Sequence, residues 1–132
     1  MIYLNDLIGV PFKTHGRDKK GMDCYGLVIE ITKRLGVTFP DAFYDNITHE
    51  SRNNTYNFLL EKMPIEKIDK PEKYCIIFMF IENRCTHVGI YLGNGKFIHT
   101  TELSGVCIQS LHRYSRIEKT YYKIRGINDG NN

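Results

Sequence analysis

The segment Gly93-Asn94-Gly95 does most to limit what this chain can build. Asn and Gly accept the positive φ angles that a tight hairpin turn requires. Strand-like runs flank the turn, Thr86 to Leu92 before it and Lys96 to Thr100 after it. A β-ribbon is therefore expected, and it carries two histidines. His87 lies seven positions before Asn94 and His99 five after, so pairing sets them nearly opposite with a slight offset. Depending on register, both imidazoles point to one face.

The second half of the chain continues in the same character. Cys75 to Ile81 reads as a buried strand, and Val106 to Gln109 and Tyr121 to Arg125 bring the strands to about five, with a helical turn near Ser110 to Ser115. The first half is helical. A short turn around Asn5 to Ile8 leads into a loop, Gly9 to Met22, marked by Pro11, Gly16 and Gly21. Asp23 then caps a helix in which Tyr25, Leu27, Val28, Ile31 and Leu35 share one broad face, and Gly36 can end it. Gly36 to Ile47 looks irregular, and a second helix is expected from about Glu50 to Glu61 around Tyr56, Phe58, Leu59 and Leu60. Helices first and strands second give an α+β domain, with N-terminal helices packed on an antiparallel β-sheet of about five strands. No repeat or linker divides it, so residues 1–127 are expected to form a single domain and 128–132 a disordered tail.

Composition excludes several classes of function. The 18 basic and 15 acidic residues leave a net charge of only +3, and the Lys and Arg form no run or stripe, so nucleic acid is not the expected partner. The longest apolar run, Tyr74 to Ile81, is far too short to cross a bilayer. Met1 to Asp6 shows no basic or apolar leader, so the expected place of synthesis is the cytoplasm without a signal peptide. Four cysteines occur without a C-x-x-C pair, which points to neither a zinc knuckle nor a disulfide framework. Cys75, Cys85 and Cys107 are expected to be ordinary buried residues.

Cys24 is different because of its position. It follows the Asp23 cap and so occupies the first turn of the predicted helix, where the dipole and unpaired backbone N–H groups favour negative charge. A thiolate is the form that attacks a carbonyl carbon. An imidazole can take the thiol proton and return it to a leaving amine, so His87 is the candidate base, with His99 orienting its ring from the other nitrogen. Cys24, His87 and His99 are also competent zinc ligands, but the usual ligand-pair spacing is absent, so neither a metal nor a cofactor is expected. His15 lies in the approach loop, where it could line a cleft, while His49 and His112 are expected on the surface.

Two segments resemble the NlpC-type cell-wall cysteine peptidases, a papain-like family with a circularly permuted fold. Asp23-Cys24-Tyr25-Gly26-Leu27-Val28 is similar to its nucleophile motif, and the run from Thr86-His87-Val88-Gly89 through Phe97-Ile98-His99 to its histidine hairpin. Gly9-Val10-Pro11-Phe12 with Gly16-Arg17-Asp18 resembles the approach segment in a form found in phage tail proteins of this family. The resemblance implies Cys24 as nucleophile, His87 as general base and His99 as the residue that orients it. It implies hydrolysis of γ-D-glutamyl bonds to a diamino acid in peptidoglycan stem peptides through an acyl-enzyme, with the Cys24 backbone N–H meeting the oxyanion.

Asp23, Tyr25, Phe12 and His15 are the candidate substrate contacts. Two of them depart from the family pattern, Phe12 where many members have Tyr and Tyr25 where many have Ser. The expected partners are peptidoglycan and phage tail-tip proteins, and the expected place of action is a virion tail or the host wall. The competing reading is a catalytically silent tail or wall-binding component, against which the intact Cys24, His87 and His99 argue.

Overall fold

The computed structural model describes residues 2–41 and 49–127, with the side chains of 49–55 outside that description. The expected tail, the second half of the irregular stretch before the second helix and the His49 side chain therefore lie outside the described residues.

A 3-10 turn, Asn5–Leu7, precedes two short paired strands, β1 (Arg17–Asp18) and β2 (Gly21–Met22). Helix α1 (Cys24–Arg34) starts where the sequence places it. Asp23 is the N-cap, and its carboxylate accepts from the Gly26 N–H at 2.8 Å. The helix ends in a Schellman motif, with Gly36 N–H donating to Lys33 O at 3.0 Å and Val37 N–H to Thr32 O at 2.9 Å. Between those ends Leu27, Val28, Ile31 and Leu35 are wholly buried, the apolar face that the 3.6-residue period requires. Helix α2 (His49–Lys62) buries Leu59 and sets the Tyr56 ring edge-on to Phe78 at 4.7 Å, while Leu60 is exposed.

The main sheet is antiparallel and has six strands, β3 (Ile65–Ile68), β4 (Ile76–Ile81), β5 (Arg84–Gly93), β6 (Lys96–Thr101), β7 (Gly105–Ser110) and β8 (Glu118–Ile124), in the order β3-β8-β4-β5-β6-β7. The strand missing from the sequence reading is β3. Its burial runs half-buried, exposed, exposed, half-buried, so it carries no two-residue alternation, and it is held at the sheet edge only by pairing with β8. Strand β4 lacks alternation for the opposite reason, because both of its faces are covered. Ile76 and Phe78 join the core beneath the helices. Cys75, Ile77 and Met79 join a second cluster with Phe97, Tyr91 and Tyr114 on the other face. A 3-10 turn, Leu111–Tyr114, lies against that second face and follows the expected helical turn.

Helix α1 packs on β5 and β6, and α2 packs on β5. The two strands that carry the histidines are therefore the ones under the helix that starts at Cys24.

Candidate active site

The ribbon β5–β6 turns through Gly93, Asn94 and Gly95, all with positive φ. Its register pairs Ile90 with Ile98 and Tyr91 with Phe97. Continued by one residue, that register sets His99 opposite Gly89, with His87 one diagonal step further along the same face. The offset brings the rings into contact, with His87 Nε2 lying 2.8 Å from His99 Nδ1. Gly89 is what makes room. A Cβ there would lie 3.2 Å from the His99 Cβ, 3.0 Å from the Ile98 carbonyl oxygen and 3.0 Å from the Phe97 ring.

His87 also sits at an irregularity. Between β4 and β5, Met79 pairs with His87 but Phe80 pairs with Cys85, so β5 has one residue more than β4 over this step. Such a bulge bends the strand and re-aims its side chains. His87 lines two pockets. The first, about 40 Å³, is apolar and is shared with Cys24, Tyr25, Cys85 and, from α2, Tyr56 and Leu59. The second, about 260 Å³, is more polar and is bounded by Phe12, His99, Thr101, Glu102 and Tyr114. The Cys85 thiol donates to the His87 carbonyl at 3.6 Å, tying the bulge to the floor of the first pocket.

His99 is only 1% exposed. Its ring packs on Phe97 at 4.2 Å and edge-on to Tyr114 at 5.5 Å. Burial lowers its pKa from the ordinary histidine value, and a hydrogen bond to Gln109 acts in the opposite direction. That bond, His99 Nε2 to Gln109 Oε1, is 2.7 Å long, and the Tyr114 hydroxyl donates to the same oxygen at 2.7 Å. Two imidazoles and an amide thus form a hydrogen-bonded chain, beside a pocket that His87 shares with the Cys24 thiol.

The remaining candidate residues divide. Tyr25 lines the pocket of Cys24, although its hydroxyl donates to Pro40 O at 2.7 Å, and Phe12 lines the pocket of His99. Asp23 is buried and occupied by the protein itself. Its Oδ1 accepts from Gly26 N–H and from Arg17 at 2.8 Å, and its Oδ2 from the His15 backbone N–H at 2.9 Å. His15 holds that contact with φ at 61° and lines neither pocket. Arg17 also reaches Asp41 at 2.9 Å, so it ties the approach segment to the head of α1 and to the chain beyond α1. Among the described residues, no group of three or more His, Cys, Asp or Glu is arranged to hold a metal ion.

Sequence reasoning passed over Gln109, Tyr114, Arg17, Gly89 and the place of Cys85. Gln109 could have been found. Pairing of His99 with Cys107 puts Gln109 on the same face of β7 two residues away, which the two-residue period of the expected Val106 to Gln109 strand already implies.

The profile of the NlpC/P60 family matches residues 9–126. The chain belongs to this family. The murein DD-endopeptidase MepS/murein LD-carboxypeptidase of Escherichia coli K12 is 27% identical over 108 residues, which cover 81% of this chain and 50% of that protein. A Haemophilus influenzae protein named probable endopeptidase NlpC homolog is 26% identical over 107 residues, with the same coverage. The chain thus spans about half the length of these curated relatives. Among solved structures, the P60 domain of antigen MAP1204 from M. avium subspecies paratuberculosis superimposes with a TM-score of 0.63 at 21% identity, covering 92% of this chain and 88% of that one. The NlpC/P60 domain of this chain has the α+β papain-like fold.

Proposed function

We propose that this NlpC/P60 domain is a cysteine peptidase that hydrolyses amide bonds in bacterial peptidoglycan stem peptides. One observation carries the reading: Cys24, at the head of α1, shares a pocket with His87, and the Nε2 of His87 is 2.8 Å from His99. In this mechanism His87 takes the Cys24 proton, and the thiolate adds to the scissile carbonyl. His87 then returns the proton to the leaving amine, and the acyl-enzyme is released by water. His99 holds the His87 ring and stabilises its cationic form. The naming of one relative as a murein DD-endopeptidase supports peptidoglycan as the substrate, and the naming of the other as a probable endopeptidase supports amide hydrolysis. The family resemblance supports cleavage between γ-D-glutamate and a diamino acid. The form of the approach segment, Gly9-Val10-Pro11-Phe12, supports action in a phage tail or at the host wall, with tail-tip proteins as partners.

The test is digestion of purified peptidoglycan with the wild-type chain and with Cys24→Ala, followed by mass spectrometry of the fragments. Wild type should release new amino groups at a stem-peptide bond and Cys24→Ala should release none. Wall binding by both proteins without cleavage by either would replace the peptidase with a silent wall-binding component.

A further inference from the structure

We propose that Gln109 is a positioning residue that selects the ring tautomers of both histidines and so leaves Nδ1 of His87 as the proton acceptor for Cys24. The proposal rests on the peptidase reading and adds to it a residue outside the thiol and the imidazole pair.

The argument is one of proton counting. An amide oxygen has lone pairs and no hydrogen, so each group bonded to Gln109 Oε1 must donate. Two groups reach it at 2.7 Å, the Tyr114 hydroxyl and His99 Nε2. His99 Nε2 therefore carries a hydrogen. Burial favours the neutral ring, which has only one N–H, so His99 Nδ1 is bare and can only accept. The atom 2.8 Å from it is His87 Nε2, which must then be the donor. A neutral His87 with its hydrogen on Nε2 has its lone pair on Nδ1, the basic nitrogen not used by His99. After His87 takes the thiol proton, its Nε2–H still donates to His99, now as a charge-assisted bond.

The opposite arrangement shows why the amide matters. With an NH2 group facing His99 Nε2, that nitrogen would accept, His99 would carry its hydrogen on Nδ1, and His87 Nε2 would be bare. The His87 hydrogen would then sit on Nδ1, where it cannot take a proton. A polar side chain one strand beyond the histidine pair thus decides whether the pair can act as a base. The Tyr114 hydroxyl donates to the same amide oxygen, and the 3-10 turn on which Tyr114 sits is packed against the second core cluster.

The experiment is nitrogen-15 NMR of the imidazoles in the wild-type chain, at a pH where both rings are neutral, together with kinetics of Gln109→Met and of the same change in a His99→Asn background. In wild type both rings should show Nε2–H. In Gln109→Met the shifts of both rings should move toward a mixture of tautomers. The kcat should fall about 10- to 100-fold with KM little changed, by analogy with the loss of a hydrogen-bond partner behind a metal-ligating histidine. Asn Oδ1 stands where His Nδ1 stands and needs no tautomer, so in the His99→Asn background the Gln109→Met change should cost little further activity. A wild-type His99 carrying its hydrogen on Nδ1 would overturn the proposal, as would equal losses in both backgrounds. Absence of peptide cleavage alongside the expected ring signals would instead remove the peptidase reading and leave the tautomer assignment standing.

Discussion

His87 and His99 meet through their rings at 2.8 Å although they are not directly cross-strand, because the β5–β6 register places Gly89 opposite His99 and leaves His87 one diagonal step away. This geometry makes the pair sensitive to changes in residues that never touch substrate.

Gly89→Ala is the sharpest such change. The added methyl would crowd the His99 Cβ, the Phe97 ring and the Ile98 carbonyl oxygen, all at 3.0 to 3.2 Å. Overpacking of this kind costs about 1–3 kcal/mol. A urea midpoint lowered by that amount is expected, with a larger proportional fall in kcat because His99 must move. A variant with full activity would show that the two rings tolerate displacement.

Removing the orienting ring should be more damaging than displacing it. His99→Ala should lower kcat by about 100-fold or more, within the range ascribed to a positioned acid–base group. His99→Asn should retain more activity, since its amide oxygen can still accept from His87 Nε2. Equal rates for the two variants would show that acceptance of that bond is unimportant.

Stability should fall on both sides of neutrality for separate reasons. Burial lowers the pKa of His99, so between the ordinary value of 6.5 and its folded value the unfolded chain binds the extra proton. Folding stability is therefore full above about pH 6.5 and is lost as pH drops through that window. Burial pushes the Cys75 thiol up from 9.0 to about 11, so the folded chain holds the proton longer. That contribution is full below pH 9 and is lost as pH rises toward 11. Thermal midpoints of wild type should decline in both windows. Cys75→Ala should flatten the alkaline decline, and His99→Asn should flatten the acid one.

The head of α1 offers a test of the cap. Asp23→Ala removes the acceptor for Gly26 N–H, for His15 N–H and for Arg17. Loss of the cap alone costs about 1 kcal/mol. Chemical denaturation should show at least that loss, and Arg17→Met should show a smaller one because the two N–H bonds remain. A larger loss for Arg17→Met would mean that the other contacts of Arg17, with Asp41 and the Gly16 carbonyl, hold the approach segment in place.

Thiol reactivity should separate the cysteines. At mildly acidic pH Cys24 should be alkylated first, because the helix start favours its thiolate, whereas Cys75 is buried with a raised pKa. Peptide mapping after brief alkylation measures the order. Uniform labelling would remove the basis for treating Cys24 as activated.

Much of this arrangement could be read from residue order. Asp23 before Cys24 and the apolar spacing from Tyr25 to Leu35 placed α1 to within a residue of its ends, and Gly93-Asn94-Gly95 placed the ribbon. The features that escaped are the ones that no local pattern encodes. Ile65–Ile68 is a strand only because β8 pairs with it. Arg17 bridges Asp23 and Asp41 across 24 residues of chain, a contact set by how the approach loop folds back. The place of Gln109 depends on a third strand joining the ribbon, and the bulge at His87 depends on β4, which reads as a plain apolar run.

The extra residue in β5 between Cys85 and His87 has its own consequence. It bends the strand beside the ring that borders the thiol pocket. Deleting Thr86 would leave Met79 opposite His87 and Phe80 opposite Cys85 in one regular ladder, so His87 would keep its face while the bend was lost. Curvature at this end of the ribbon can therefore be varied separately from the face that the His87 imidazole occupies.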